Sequence, residues 1–311
     1  MVNRPPVAPR RVRPARRACR LLAGAVTACG LAFGAAACAG DPADGDDPGR
    51  VDIVAAFYPL QFVAERVGGD AVRVTSLAKP GAEPHDLELT PVQVGRIADA
   101  ELVAYLKGFQ PAVDDAVDQE AKDSSFDAAT AVDPLLADGH PDPHLWLDPA
   151  RLAAVGDKLA ERLGAVDSAR AADYRARAAT LRTDLDALDK EYAAGLKTCQ
   201  RREIITSHTA FTYLAERYGL RQIGLSGLSP EDEPSPQHLA SVAEAARGHK
   251  ATTIFFETLV SPKVAEAIAR EVGAKAAVLD PIEGLPPGSA DDYLSVMREN
   301  LETLRTALGC A

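Results

Sequence analysis

The chain has 311 residues, with 34 Lys and Arg against 45 Asp and Glu and a formal net charge of −11. That length is enough for two lobes of ordinary domain size, each with its own core. Seven of the basic residues crowd into the first 38 positions, which contain no acid, so the remainder carries 27 basic against 45 acidic residues. Such a surface repels nucleic acid and anionic lipid and favours cations, and no P-loop run is present to support ATP hydrolysis.

Residues 1–38 read as an export signal: a basic segment to Arg20, an apolar stretch from Leu21 to Ala37, then small residues before Cys38. The apolar stretch is short for a stable transmembrane helix. Small residues before a cysteine resemble a bacterial lipobox, whose cysteine is lipid-modified after cleavage. Val26-Thr27-Ala28-Cys29 also fits that pattern, but cleavage there would leave Leu31, Ala32 and Phe33 at the mature terminus. Cys38 instead leads into the acidic, turn-rich tether of residues 39–50, so Cys38 is the expected anchor. With Cys38 acylated, Cys199 and Cys310 remain as an even pair in an oxidising compartment, read as a disulfide, with two unrelated thiols as the alternative.

From Val51 strand-like and helix-like segments alternate: Val51–Ala56, Leu60–Gly68, Val72–Leu77, Pro91–Ala98 and Leu102–Tyr105. This βα alternation predicts a largely parallel sheet flanked by helices, an N-terminal lobe over 51–167. Residues 168–194 contain neither Gly nor Pro, and Tyr174, Ala178, Leu181, Leu185, Leu188 and Tyr192 form one apolar stripe. They predict one long rigid linking helix within 168–196, with Asp167 available to cap it and Gly195 to end it. A second alternation follows over 197–311: strands at Glu203–Thr206, Arg221–Leu225, Thr252–Phe256 and Ala276–Leu279, with helices at Thr209–Tyr218, Gln237–Arg247, Pro262–Glu271 and Asp291–Leu308. The expected fold class is α/β, two such lobes with a cleft between them.

His85, His144, His208 and Asp280 stand where an apolar run ends or a Pro-bounded loop turns, separated by 59 to 72 residues. A zinc finger keeps its ligands within a short stretch; these four meet only if a folded chain brings its loops together. Open α/β sheets bind ligands outside the carboxyl ends of their strands, where His208 and Asp280 both fall. His140 lies in a Gly- and Pro-rich loop near His144, whereas His238 and His249 occupy helix-surface positions.

Five segments carry a family resemblance: Pro80-Gly81-Ala82-Glu83-Pro84-His85-Asp86, Asp142-Pro143-His144-Leu145-Trp146-Leu147-Asp148-Pro149, Thr206-Ser207-His208-Thr209-Ala210-Phe211, Glu257-Thr258-Leu259-Val260-Ser261-Pro262 and Val278-Leu279-Asp280-Pro281. In order and spacing they resemble the metal-binding lipoproteins of bacterial ABC importers for zinc and manganese, over nearly all of Val51–Ala311. The resemblance implies metal held in the cleft by His85, His144, His208 and Asp280, with Glu257 close to the site. It also implies a monomer, lipid-anchored to the outer face of the cytoplasmic membrane, that passes its cargo to a permease driven by a separate ATPase.

Relatives that favour manganese commonly carry a carboxylate at the third position, where this chain has His208. Three imidazoles and one carboxylate suit Zn²⁺ as cargo, and manganese prefers more oxygen. The long His- and acid-rich loop of many zinc-type relatives shrinks here to Leu136-Ala137-Asp138-Gly139-His140-Pro141. The polar loop around Glu231, Asp232 and Glu233 reads as solvated surface that attracts cations or faces the permease. Two alternatives remain: a manganese carrier on the same fold, and a zinc hydrolase with Glu257 as base. Against the hydrolase, the chain lacks His-Glu-x-x-His, and four protein ligands close a site to a nucleophile.

Overall fold

The computed structural model describes residues 49–137 and 139–311. The expected export signal, the lipidation candidates Cys29 and Cys38, and the tether up to residue 48 lie outside the described residues.

The N-terminal half runs β1 (Val51–Ala55), α1 (Tyr58–Gly68), β2 (Val72–Ser76), α2 (Pro91–Asp99), β3 (Leu102–Tyr105), α3 (Pro111–Glu120) and β4 (Ser125–Asp127). Its strands form one parallel sheet in the order β2-β1-β3-β4. Ile53, Val54, Ala55, Leu102, Val103 and Ala104 are all buried, as strands covered by helices on both faces must be. The helices α1, α2 and α3 each have proline in their first turn, where a missing N–H costs nothing, and Thr90 and Gln93 close a capping box on α2. The short hairpin β5 (Leu136–Ala137) and β6 (His140–Pro141) follows, then α4 (Pro149–Val166), whose first N–H groups are capped by the Asp148 carboxylate.

The apolar stripe of the linking helix materialises in α5 (Ala171–Gly195), which buries all six of Tyr174, Ala178, Leu181, Leu185, Leu188 and Tyr192. Residues 168–170 form a 3-10 turn ahead of it. The Asp167 carboxylate does not cap the helix; it accepts the Tyr174 hydroxyl at 2.8 Å and pairs with Arg170 at 2.7 Å. The helix packs against α1 and α4 and also against the last helix of the chain.

The C-terminal half contains β7 (Glu203–Thr206), α6 (Thr212–Tyr218), β8 (Arg221–Gly224), α7 (Pro236–Gly248), β9 (Thr253–Phe256), α8 (Lys263–Val272), β10 (Lys275–Val278) and α9 (Tyr293–Leu308). Its strands pair in parallel as β7 with β8 and β9 with β10, and β7 lies beside β9. Ile205, Leu225, Val242, Ile254 and Ile268 anchor a small core of this half. The main core runs continuously from the first sheet through α5 to α6 and α9. The two halves therefore share packed apolar surface.

Cys199 and Cys310 are joined by a disulfide, with Ala311 N donating to Thr198 O at 2.9 Å beside it. The bond ties the end of α9 to the segment that enters β7, across 111 positions of chain. Reduction, or replacement of both cysteines by alanine, is expected to lower unfolding free energy by about 2–4 kcal/mol, because the unfolded chain regains the freedom of a long loop. Denaturant titration of the oxidised and reduced chain checks it.

Candidate metal centre

Four buried side chains from four loops converge between the halves: His85, His144, His208 and Glu283. Each offers one ligand atom, and these atoms all lie within 4.8 Å of one another.

His85 sits in the loop after β2, its ring edge-on to Phe109 with centroids 4.4 Å apart. The loop lies against the opposite half, since Gly81 N donates to Leu285 O at 2.8 Å. Gly81 adopts φ 80°, and a Cβ there would come within 2.8 Å of Pro287 Cδ, so a side chain would separate the two loops. His144 precedes the turn that leads into α4. Asp142 Oδ1 accepts both the His144 backbone N–H and its Nδ1–H at 2.8 Å, which directs Nε2 at the cluster. His208 follows β7, and its carbonyl accepts from Thr206 Oγ1 at 2.7 Å and from Gln222 Nε2 at 2.9 Å. Its Nδ1 meets Glu257 Oε1 at 2.6 Å, and Ser207 Oγ donates to the same oxygen.

Glu283 supplies the carboxylate. Its Oε1 lies 3.2 Å from His85 Nε2, 3.4 Å from His144 Nε2 and 3.3 Å from His208 Nε2, and the last two nitrogens are 3.3 Å apart. An ion with four bonds of about 2.0–2.1 Å in tetrahedral array has its ligand atoms about 3.3–3.4 Å apart. Four of the six separations in the cluster match edges of that tetrahedron, and all the ligand atoms lie within 4.8 Å of one another. The donor set therefore fits Zn²⁺.

Asp280, expected as the fourth ligand, is not in this cluster. Its Oδ2 accepts from Thr258 Oγ1 at 2.6 Å and its Oδ1 from Ile282 N at 2.7 Å, so the short side chain folds back on its own loop. Asn300 on α9 grips the Asp280 backbone from both sides, accepting its N–H at 2.9 Å and donating to its carbonyl at 2.7 Å. Ile282 takes φ 58°, and that turn carries the next residue, Glu283, into the cleft. The signal available in the sequence was a second carboxylate three positions beyond the strand-end aspartate. Glu257 does lie beside the site, as Glu83 also does, with an oxygen 4.0 Å from His85 Nε2. His140, His238 and His249 are exposed and outside the cluster, as is the acidic turn of Glu231, Asp232 and Glu233.

The electrostatics of the metal-free cluster are those of shared protons. Burial disfavours an imidazolium at His208, but the Glu257 and Glu283 carboxylates outweigh it and push its pKa up to about 10. At His144 burial is likewise overcome by Asp142 and Glu283, and the pKa rises. At His85 burial prevails over Glu283, and the pKa falls. Burial opposes ionisation of Glu283, yet hydrogen bonds from all three imidazoles hold its carboxyl well below the usual range. Burial raises Glu83 to about 7.

Two α/β halves with a buried three-histidine, one-carboxylate cluster between them define a metal-binding protein of the two-lobed type. The chain belongs to the family described as the periplasmic zinc-uptake complex component A, ZnuA, whose model matches residues 53–307. It is 34% identical over 287 residues to the zinc-binding protein AdcA of Streptococcus pyogenes, an alignment that takes in 83% of this chain and 56% of that protein. The chain thus spans about half the length of the curated relatives it matches first. Among solved structures it is similar to the laminin-binding protein Lmb of Streptococcus agalactiae, described as a bifunctional protein with adhesin and metal transporting activity (TM-score 0.78, 34% identity, 83% of this chain and 99% of that one). It is also similar to the Zn(II)-bound ZnuA-like domain of Streptococcus pneumoniae AdcA (TM-score 0.74, 33% identity, 84% and 99%).

Metal binding requires neutral imidazoles, and His208 titrates only near 10 in the free cluster, so loading near neutral pH expels protons. Zinc affinity is expected to rise with pH, roughly tenfold per unit for each proton released. Calorimetry at pH 7.5 in buffers of different ionisation enthalpy should count at least one proton per zinc. A count of zero would show that His208 is already neutral.

Proposed function

We propose that this protein is the extracytoplasmic zinc-binding component of an ABC import system, capturing Zn²⁺ with His85, His144, His208 and Glu283 and delivering it to a membrane permease driven by a separate ATPase. The observation that carries the reading is the cluster itself: four separations of 3.2 to 3.4 Å among three imidazole nitrogens and one carboxylate oxygen, all from buried side chains. Membership of the zinc-uptake family supports it. The manganese alternative fares worse because a third imidazole, His208, stands where more oxygen would be wanted.

The protein acts by binding at this cluster rather than by catalysis there. Four protein donors leave no position for an activated water, and Glu257, the base a hydrolase would need, is engaged with His208 Nδ1 and Ser207. The lobes are 51–167 and 197–311, bridged by the segment 168–196 that contains α5. Acylation at Cys38 would keep a monomer at the outer face of the cytoplasmic membrane, where the acidic surface concentrates cations.

The test is a competition titration of the metal-free full chain against a chromophoric chelator. One zinc should bind per chain, and manganese at equal concentration should not displace it. His208→Ala and Glu283→Gln are each expected to weaken zinc binding at least about 100-fold, His249→Ala to leave it unchanged, and Asp280→Asn to weaken it less than Glu283→Gln does. The ligand assignment is falsified if Asp280→Asn is the more damaging of the two carboxylate changes.

A further inference from the structure

The segment that carries His144 is tied to the other half on both sides of the ligand. Two residues before it, the Asp142 carbonyl accepts the hydroxyl of Tyr213 from α6 at 2.9 Å. Two residues after it, the Trp146 indole donates to Pro281 O at 2.7 Å, two residues before Glu283. Tyr213 lies five residues beyond His208. The two ties therefore join the His144 segment to the two segments of the other half that present His208 and Glu283.

The Tyr213 tie bears directly on the ligand. Its hydroxyl oxygen also accepts Leu135 N–H at 3.0 Å, and Asp142 N donates to Leu135 O at 2.9 Å, so one hydroxyl closes the open end of the β5–β6 hairpin. Asp142 in turn orients His144, using Oδ1 alone; its buried Oδ2 has no hydrogen-bond partner among the described residues. The Asp142 carboxylate is thus not held by its own second oxygen, and its place depends on the backbone that Tyr213 pins. Arg151 covers the Tyr213 ring, 4.8 Å from its centroid, and donates to Asp133 O at 2.6 Å, which seals the same loop. Trp146 is buried, its ring centroid 5.2 Å from that of His144, and its carbonyl accepts the Tyr293 hydroxyl at 2.6 Å.

We infer that Tyr213 and Trp146 are positioning residues that set metal selectivity: by fixing His144 relative to His208 and Glu283 they hold the site at the size and coordination number of a tetrahedral ion. An ion that accepts four nitrogen and oxygen donors at short distance gains from a site held at that geometry. An ion that demands six donors and longer bonds gains when the site is free to open and admit water. Loosening the clamp therefore costs zinc more than it costs manganese. The inference rests on the zinc-capture reading of the same cluster.

The test measures affinities of the full, metal-stripped chain for Zn²⁺ and Mn²⁺ by chelator competition, in wild type and in Tyr213→Phe, Trp146→Phe and Tyr218→Phe. Each clamp variant should lose roughly 10- to 100-fold in zinc affinity, the usual cost of removing a group behind a metal ligand, with a smaller loss for manganese. The zinc-to-manganese affinity ratio should therefore fall, by up to about 100-fold where manganese affinity is untouched. With Co²⁺ bound, the visible ligand-field bands of wild type should be those of a four-coordinate ion, and those of the clamp variants should weaken towards higher coordination. Tyr218→Phe, on the same helix as Tyr213, removes a hydroxyl bonded to Asp189 of α5 and should leave ratio and spectrum unchanged. Should Tyr213→Phe not fold, Trp146→Phe carries the same expectation. A clamp variant that folds and keeps the wild-type ratio overturns the inference, even if its melting temperature falls. Absence of zinc binding in the wild-type chain would instead overturn the function itself.

Discussion

A single carboxylate oxygen dominates the architecture. Glu283 Oε1 is buried between three imidazoles, each within 3.4 Å. A carboxylate buried there alone would carry a prohibitive desolvation cost, so the fold can hold it only with positive charge around it. In the free protein that charge is protons on the histidines, themselves stabilised by Asp142 and Glu257 behind them. In the zinc-loaded state proposed above, the divalent cation would take their place. The same acidic groups thus serve two occupants, and the protein has no need to rearrange its charged groups between them. The loops of His85, His144, His208 and Glu283 each deliver one member of this cluster.

The bracing explains why two lobes joined by one helix do not behave as two bodies on a stalk. The long helix α5 packs on both halves, and the main core passes through it without interruption. Gly81 brings the loop of His85 against that of Glu283, and a charged network adds to this at the back of the cleft. There Arg217 of α6 pairs with Asp148 at 3.3 Å and with Asp189 of α5 at 2.6 Å. Apolar contact and directional bonds act at the same boundary, so relative motion of the halves must break both.

Much of this was legible in the sequence. The stripe from Tyr174 to Tyr192 announced the long helix, because a period near 3.6 over so many residues without Gly or Pro has few other solutions. The three histidines were legible because imidazoles at strand ends and in Pro-stiffened loops are poorly explained by packing. The carboxylate that joins them in space, Glu283, was not. Asp280 and Glu283 lie within four residues, both just past β10, and the choice between them depends on a backbone detail: the Asp280 side chain bonds Ile282 N–H and holds a left-handed turn there. No spacing rule encodes such a turn, least of all at a β-branched residue. The elements α3, β4 and α4 were also missed, since their apolar positions are interleaved with many acids and small residues. Tyr213 and Trp146 looked like ordinary core aromatics, and only their hydroxyl and indole N–H partners in space separate them from the rest.

The disulfide between Cys199 and Cys310 has a consequence of another kind. It makes residues 199 to 310 a covalent ring whose two ends coincide in space. A unit with coincident ends can be spliced into a loop of a different chain without forcing the host's flanking residues apart. The second half of this protein meets that geometric condition as it stands, and what limits such a transfer is not its ends but the apolar surface that α6 and α9 share with the first half.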